Sequence, residues 1–318
     1  MISRNELKKY LEEGLSTRKI EKLIGIDHRT ILYYINKYNL RDKLNYKKPT
    51  YNEDFFDIID TKEKAYILGY TLADSSISDK TIEYCCSISD KELLEFISKN
   101  IGGYVRDYTK FDKKKRLFPK SRLMIGNKRL INSLKVLSGG LKKEDRTFTR
   151  IKNDLQRYML LGFFDADGCL TWGYRKDRGR LWHKVSFTSS YKLLVPIQKL
   201  LDKQGISSVI RPKGTDKCYV LEICSKKNVK AVLSYMYGTE DLIVLHRKFE
   251  KYVALRLELG ENEETIIKDT ISCQANSHEL EGVETTGEKM DSLNDQLECP
   301  SLKNEVRNSP NGCNNDLN

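Results

Sequence analysis

The stretches AYILGYTLADSSI and YMLLGFFDADGCL are one pattern written twice, and this doubling restricts the fold more than any other feature of the chain. Each copy is an apolar run with a glycine set into it, Gly69 and Gly162, ending on an aspartate, Asp74 and Asp167, with 93 residues between equivalent positions. The segments after the two copies are parallel too. A β-rich stretch comes next (KTIEYCCSIS; LWHKVSFTSS), then a helix behind a serine-rich cap (SDKELLEFISKNIGG; SSYKLLVPIQKLLDKQGI). Two further strands and a last helix opened by a basic pair (NKRLINSLKVL; KKNVKAVLSYMYG) complete each half, which reads α-β-β-α-β-β-α. An internal duplication of this kind predicts a pseudo-twofold pair of units within one monomer. The expected fold class is α+β, with units over 53–150 and 151–260.

A helix that is apolar nearly all round must be buried. A glycine inside it lowers helix propensity by roughly 1 kcal/mol relative to alanine, which is tolerable where another backbone comes close. Two such helices can cross glycine on glycine and bring Asp74 and Asp167 together at their C-terminal ends. Each end already carries roughly half a negative charge, so the acids repel both the dipoles and one another. Cations make the cluster favourable. Hard divalent ions with oxygen ligands, Mg²⁺ or Mn²⁺, suit carboxylate-plus-phosphate sites. Such a site in a basic protein suggests metal-assisted phosphodiester hydrolysis. DADG also resembles the opening of a calcium loop, but CLTWGYRK supplies none of the further acids that such a loop needs.

The charge is unevenly distributed. The 318 residues hold 56 Lys and Arg against 45 Asp and Glu, a net of +11. From Glu261 to the end there are 13 acidic and 4 basic residues, a net of −9, which leaves +20 on the preceding 260. A basic body points to a polyanion, most simply nucleic acid. Residues 261–318, rich in Ser, Asn, Glu and Gly, are expected to form a disordered acidic tail. The eight cysteines include no C-x-x-C pair and are expected to be free thiols in a reducing compartment. The N-terminus has no secretory apolar region, and no run is long enough to span a bilayer. The expected location is the cytoplasm and nucleoid or an organellar matrix.

Ahead of the repeat, LSTRKIEKLIGIDHRTILYYINKYNL predicts a helix-turn-helix. Ser16 and Asp27 are its N-caps, Gly25 the turn, and Ile20, Ile24, Ile26, Ile31 and Tyr34 its buried positions. An earlier helix from Asn5 to Glu13 would complete a three-helix DNA-binding module over 1–45. Glu21 departs from the pattern, standing where a small residue usually lets the helices approach. Asp27, His28, Arg29, Thr30, Tyr33 and Lys37 would face outward toward bases or phosphates. Residues 46–52 read as a linker, and Asp60 with Glu63 as a capping box for the first apolar helix.

LLGFFDADG resembles the signature of the LAGLIDADG homing endonucleases, and ILGYTLADS resembles an altered first copy in which Leu72 and Ser75 replace an acid and a glycine. The resemblance covers about Glu53 to Leu259. It implies two units forming a saddle over the DNA major groove, with divalent-metal cleavage of both strands. Asp74 and Asp167 match the metal-binding acids, and Gly69 and Gly162 the helix-crossing glycines. Lys248 matches a basic residue kept near the active site, with Lys142 or Lys143 as its counterpart in the first half. DNA contacts are expected from two basic hairpins taken as counterparts: Arg106, Lys110, Lys120 and Arg122 in the first, Arg175, Arg178, Arg180 and Lys184 in the second. The motif also occurs in RNA-splicing maturases and in transcription regulators that lack the acids, so a non-catalytic DNA-binding regulator or a maturase is the alternative. Neither end resembles an intein splice junction, and the expectation is a free-standing endonuclease.

Overall fold

The structure, a computed structural model, describes residues 2–44, 49–111, 114, 116–148, 151–214, 217–238 and 245–262. The tail expected over 261–318 therefore lies outside the described residues, except for its start. There Glu261 is ion-paired with Lys230 at 2.8 Å and Arg256 at 2.6 Å.

Three helices open the chain: α1 (Arg4–Glu12), α2 (Thr17–Ile24) and α3 (His28–Lys37). Ser16 and Asp27 accept from the backbone at the starts of α2 and α3, and Gly25 ends α2 at φ +69°. Their core of Ile2, Leu7, Leu11, Ile20, Ile31, Ile35 and Leu40 is a cluster of its own. Ile20 and Ile31 are buried as predicted. Ile24, Ile26 and Tyr34 only flank this core, and Ile35 fills the inner position. The spacing explains it: Ile35 is one turn from Ile31 on the same face, whereas Tyr34 turns aside to stack on Tyr38 at 5.6 Å.

The larger part follows the predicted order. α4 (Lys62–Asp74), β1 (Ser75–Ile77), β2 (Ile82–Ser87), α5 (Lys91–Ile101), β3 (Val105–Phe111), β4 (Leu117–Ile125) and α6 (Lys128–Ser138) form the first unit. α7 (Gln156–Asp167), β5 (Gly168–Arg175), β6 (Arg180–Ser189), α8 (Tyr191–Lys203), β7 (Val209–Pro212), β8 (Tyr219–Ile223) and α9 (Lys226–Tyr237) form the second, followed by α10 (His246–Glu258). Each unit has one four-stranded antiparallel sheet, ordered β1-β2-β4-β3 and β5-β6-β8-β7. Their strands alternate inward apolar and outward polar residues, as in Ile82, Tyr84 and Cys86 of β2 or Val185 and Phe187 of β6, which face inward. One core spans both units, with α4 and α7 at its centre. α4 starts one residue later than the predicted capping box: Thr61 accepts from the Lys64 amide, and Asp60 instead pairs with the Lys64 ammonium at 2.8 Å.

The strand order also corrects the pairing of the basic hairpins. RDYTKFDKKKRLFPKSR is β3–β4, the second hairpin of its unit, while WGYRKDRGRLWHK is β5–β6, the first hairpin of the other. The true counterparts are β1–β2 and β7–β8, which are shorter. Position in a unit is set by how many strands come after the central helix, not by basic composition.

Among the described residues no helix is long and apolar enough to cross a membrane. Cys85, Cys86, Cys169, Cys218 and Cys224 are free thiols; the remaining three cysteines lie outside the described residues.

Candidate active site

The glycines of α4 and α7 sit where the backbones touch. A Cβ on Gly69 would stand 1.9 Å from the carbonyl oxygen of Met159, and one on Gly162 would stand 2.0 Å from that of Tyr66. Met159 precedes Gly162 by the same three residues by which Tyr66 precedes Gly69. The crossing is thus symmetric at the level of individual atoms, and only glycine fits at either point.

Below the crossing each helix ends on its acid, and the next residue starts a strand: Ser75 opens β1 and Gly168 opens β5. The chain therefore places each carboxylate at the junction of a central helix and a sheet. Asp74 is exposed as a residue, yet enough protein surrounds its carboxyl for burial to be the largest influence raising its pKa. The charge of Asp167 raises it further, and Lys143, Lys120 and Lys248 oppose the rise. Mutual repulsion of this kind is what two carboxylates converging on one site produce.

The basic residues divide by role. Lys143, rather than Lys142, reaches an acid: its Nζ is 2.7 Å from Asp167 Oδ2, across the two units. Lys142 is exposed. Lys248 is buried, 6% exposed, and donates to the carbonyl oxygens of Phe164, Asp165 (2.9 Å) and Gly168 (2.7 Å). Burial pushes its pKa down to about 8, against the pull of Asp165.

Sequence reading missed Arg146. Only 2% exposed, it donates to the carbonyl oxygens of Thr71 (3.2 Å), Leu72 (3.2 Å), Ser75 (3.0 Å) and Leu141 (2.8 Å). It also missed Asp165, a fully enclosed carboxyl that accepts from Tyr66 Oη of α4 at 2.7 Å and from the Leu245 amide at 2.9 Å. Burial pushes its pKa up to about 6.

Residues 154–237 match the family model of the LAGLIDADG-like domain. The second unit is similar to a LAGLIDADG-like domain over these residues. Solved structures similar to the chain include the I-LtrWI LAGLIDADG homing endonuclease bound to target DNA, at 15% identity, with 71% of this chain and 99% of that one covered and a TM-score of 0.41. I-SmaMI bound to uncleaved DNA target in the presence of calcium ions is 10% identical over 69% and 99%, at 0.42. The N-terminal LAGLIDADG domain of DUF199/WhiA is 14% identical over 58% and 86%, at 0.36. No curated protein matches the chain.

In the second unit the pleat puts Arg175, Arg180 and Lys184 on the sheet face opposite the core, and Arg175 lies directly across from Arg180. The side chain of Arg178, in the turn between them, lies outside the described residues. In the first unit Arg106, Lys110, Lys120 and Arg122 share the corresponding outer face, with Arg106 across from Arg122. Two of these cations are held by acids on the same face: Arg122 by Glu83 at 3.4 Å and Lys184 by Glu222 at 2.9 Å. Arg122 also lies over the Tyr108 ring at 5.3 Å.

On α3, Arg29, Thr30, Tyr33 and Lys37 are exposed, with the Lys37 ammonium 5.9 Å above the Tyr33 ring. His28 is different. It is half-buried, with Nδ1 3.5 Å from Glu21 and 3.8 Å from Asp27. Glu21, at the helix approach, faces this imidazole. Among the described residues these three are the one group of three or more His, Cys, Asp or Glu side chains spaced closely enough for a shared metal ion. Asp74 and Asp167 offer their site two side chains.

Proposed function

We propose that the chain is a site-specific DNA endonuclease that hydrolyses phosphodiester bonds with divalent cations held by Asp74 and Asp167. The observation carrying this reading is the pair of carboxylates at equivalent ends of two helices locked together at Gly69 and Gly162, each beside a sheet with a basic outer face.

The residues present fit a hard divalent cation. Both donors are carboxylate oxygens, the Asp74 pKa is raised by burial and then by its neighbour's charge, and both helix ends add partial negative charge. Two side chains leave most of an octahedral shell to water and phosphate, as Mg²⁺ prefers. A bound cation would polarise the scissile phosphate and favour ionisation of an attacking water. The protein's own residues do the rest. The glycine crossing fixes the separation of the acids, and the outer-face arginines and lysines hold the duplex backbone. Lys143 offsets the charge of Asp167. The three N-terminal helices, with Arg29, Thr30, Tyr33 and Lys37 outward, serve as an added DNA-binding module.

The test is selection of cleaved sites from a random duplex library with Mg²⁺, followed by nicking and binding assays on the selected site. Asp74→Asn and Asp167→Asn should each abolish cleavage while binding survives. Full cleavage by either variant removes that residue from the site. A wild type that binds one sequence and never cuts is instead a DNA-binding regulator.

A further inference from the structure

Subtracting the 93-residue repeat from the carbonyls that hold Lys248 gives a second set. Phe164, Asp165 and Gly168 become Thr71, Leu72 and Ser75, and these are the three carbonyls of α4 and its exit that hold Arg146. The two cations thus occupy the same place in the two units, although they come from unlike segments. Arg146 lies in the irregular stretch after α6, and Lys248 lies on α10.

Each cation meets the last carbonyls of a helix, where acceptor capacity and a partial negative charge are left over; those of Thr71 and Phe164 also accept the amides of Ser75 and Gly168. Each also bridges the acid: the carbonyls before and after Asp74 belong to Leu72 and Ser75, and those around Asp167 belong to Asp165 and Gly168. Holding both sides fixes the backbone between them, and with it the direction of the acid's Cα–Cβ bond. An ammonium has three N–H donors, and Lys248 directs its contacts to three carbonyls, so none remains for a phosphate or a water. Arg146 spreads its fork over four carbonyls on two segments, which includes tying Leu141 to the end of α4.

We propose that Arg146 and Lys248 are an equivalent pair of positioning residues that aim Asp74 and Asp167 from inside the protein, and that neither touches DNA or the attacking water. The consequence for cleavage rests on the endonuclease reading; the consequence for ion binding does not.

The experiment compares Arg146→Gln, Arg146→Lys, Lys248→Met and Lys248→Arg with wild type in three measurements. These are the cleavage rate at saturating DNA, the dissociation constant for target duplex, and Mn²⁺ affinity of the DNA-free protein by water-proton relaxation. Misplacing a reacting group by about 1 Å costs roughly 100-fold in rate, so Arg146→Gln and Lys248→Met should lose about 10- to 100-fold in cleavage. Both should also bind Mn²⁺ at least about tenfold more weakly, with duplex affinity changed by less than about twofold. Arg146→Lys and Lys248→Arg, which can still reach carbonyls, should recover most of both losses. They also provide the folded comparison if a neutral variant does not fold. Unchanged Mn²⁺ affinity in the neutral variants, a parallel loss of duplex affinity, or folded charge-conserving variants as weak as the neutral ones would overturn the proposal. If the wild type binds Mn²⁺ but cuts nothing, the endonuclease reading fails, and the Mn²⁺ series still decides the positioning role.

Discussion

Replacing Gly162 with alanine puts a methyl group 2.0 Å from the carbonyl oxygen of Tyr66, 2.8 Å from its carbon and 3.1 Å from the amide nitrogen of Tyr70. An ordinary carbon–oxygen approach is about 3.3 Å or more, so α4 and α7 must part by about 1 Å. Nothing flexible lies in the way; all three of these atoms are backbone. Tyr66, Tyr70, Met159 and Phe163 surround the crossing, each at most 4% exposed. A gap of 0.5–1 Å forfeits about a quarter to a half of each dispersion contact, and a buried side chain makes some 40 or more of these at about 0.1 kcal/mol. The loss is then about 1 kcal/mol for each of the four side chains. Alanine returns roughly 1 kcal/mol of helix propensity. The expected cost is about 3 kcal/mol, which in a domain of this size lowers the melting temperature by roughly 6–12 °C. Gly69→Ala should cost a similar amount, because the Met159 oxygen stands as close. The double variant should cost less than the sum, since the first methyl already parts the helices. Thermal melts and urea titrations of the three variants measure this. A Gly162→Ala protein melting within about 2 °C of wild type would refute the close-crossing argument.

Arg106→Ala and Arg180→Ala should each weaken duplex binding nearly uniformly across sequences and reduce the salt slope by about one unit. An unchanged slope across a salt titration removes that residue from the interface. Deleting residues 1–44, whose core is separate from the larger one, should lower target affinity without moving the cut positions, as read from the ends of the products. A displaced cut would tie this module to the site itself.

The doubled motif made the element order readable because hydrophobic period and glycine placement are local properties. The terminal acids were readable for the same reason. Arg146 was not, because its partners on α4 and its exit lie 71 to 75 residues away and its own stretch has no periodicity. Repeat spacing also pointed elsewhere. Arg146 and Lys248 are 102 residues apart against 93 for the motifs, and a lysine counterpart of Lys248 in the stretch after the last helix of the first half points to Lys142 or Lys143, which stand nearby in the chain. The hairpins were misaligned through reliance on basic composition. Asp165 was passed over because it reads as one more acid in DADG; only the fold shows it enclosed and bonded to Tyr66 of the other unit.

The altered first motif has a packing explanation that preserves its acid. Gly168 has an ordinary extended backbone, φ −79° and ψ 155°, so its requirement is not conformational. A Cβ there would lie 2.2 Å from the Phe164 ring, four residues earlier. That ring cannot swing aside. It packs on Phe187 at 5.7 Å and Tyr237 at 6.4 Å, with the Lys248 ammonium 4.9 Å from its centroid. In the first unit the residue four before Ser75 is Thr71, whose smaller side chain turns to the Ile67 carbonyl and Tyr84, and Ser75 Oγ donates to the Thr71 carbonyl at 2.5 Å. Threonine with serine and phenylalanine with glycine are two solutions to one contact, and each leaves the carbonyls at 72 and 75, or 165 and 168, to their cation. Gly168→Ser should therefore destabilise by about 2 kcal/mol or more through overpacking. Ser75→Gly, which loses one hydrogen bond, should cost about 1 kcal/mol. Urea midpoints of the two variants order them, and a Gly168→Ser protein as stable as Ser75→Gly would show that the aromatic ring does not dictate the glycine.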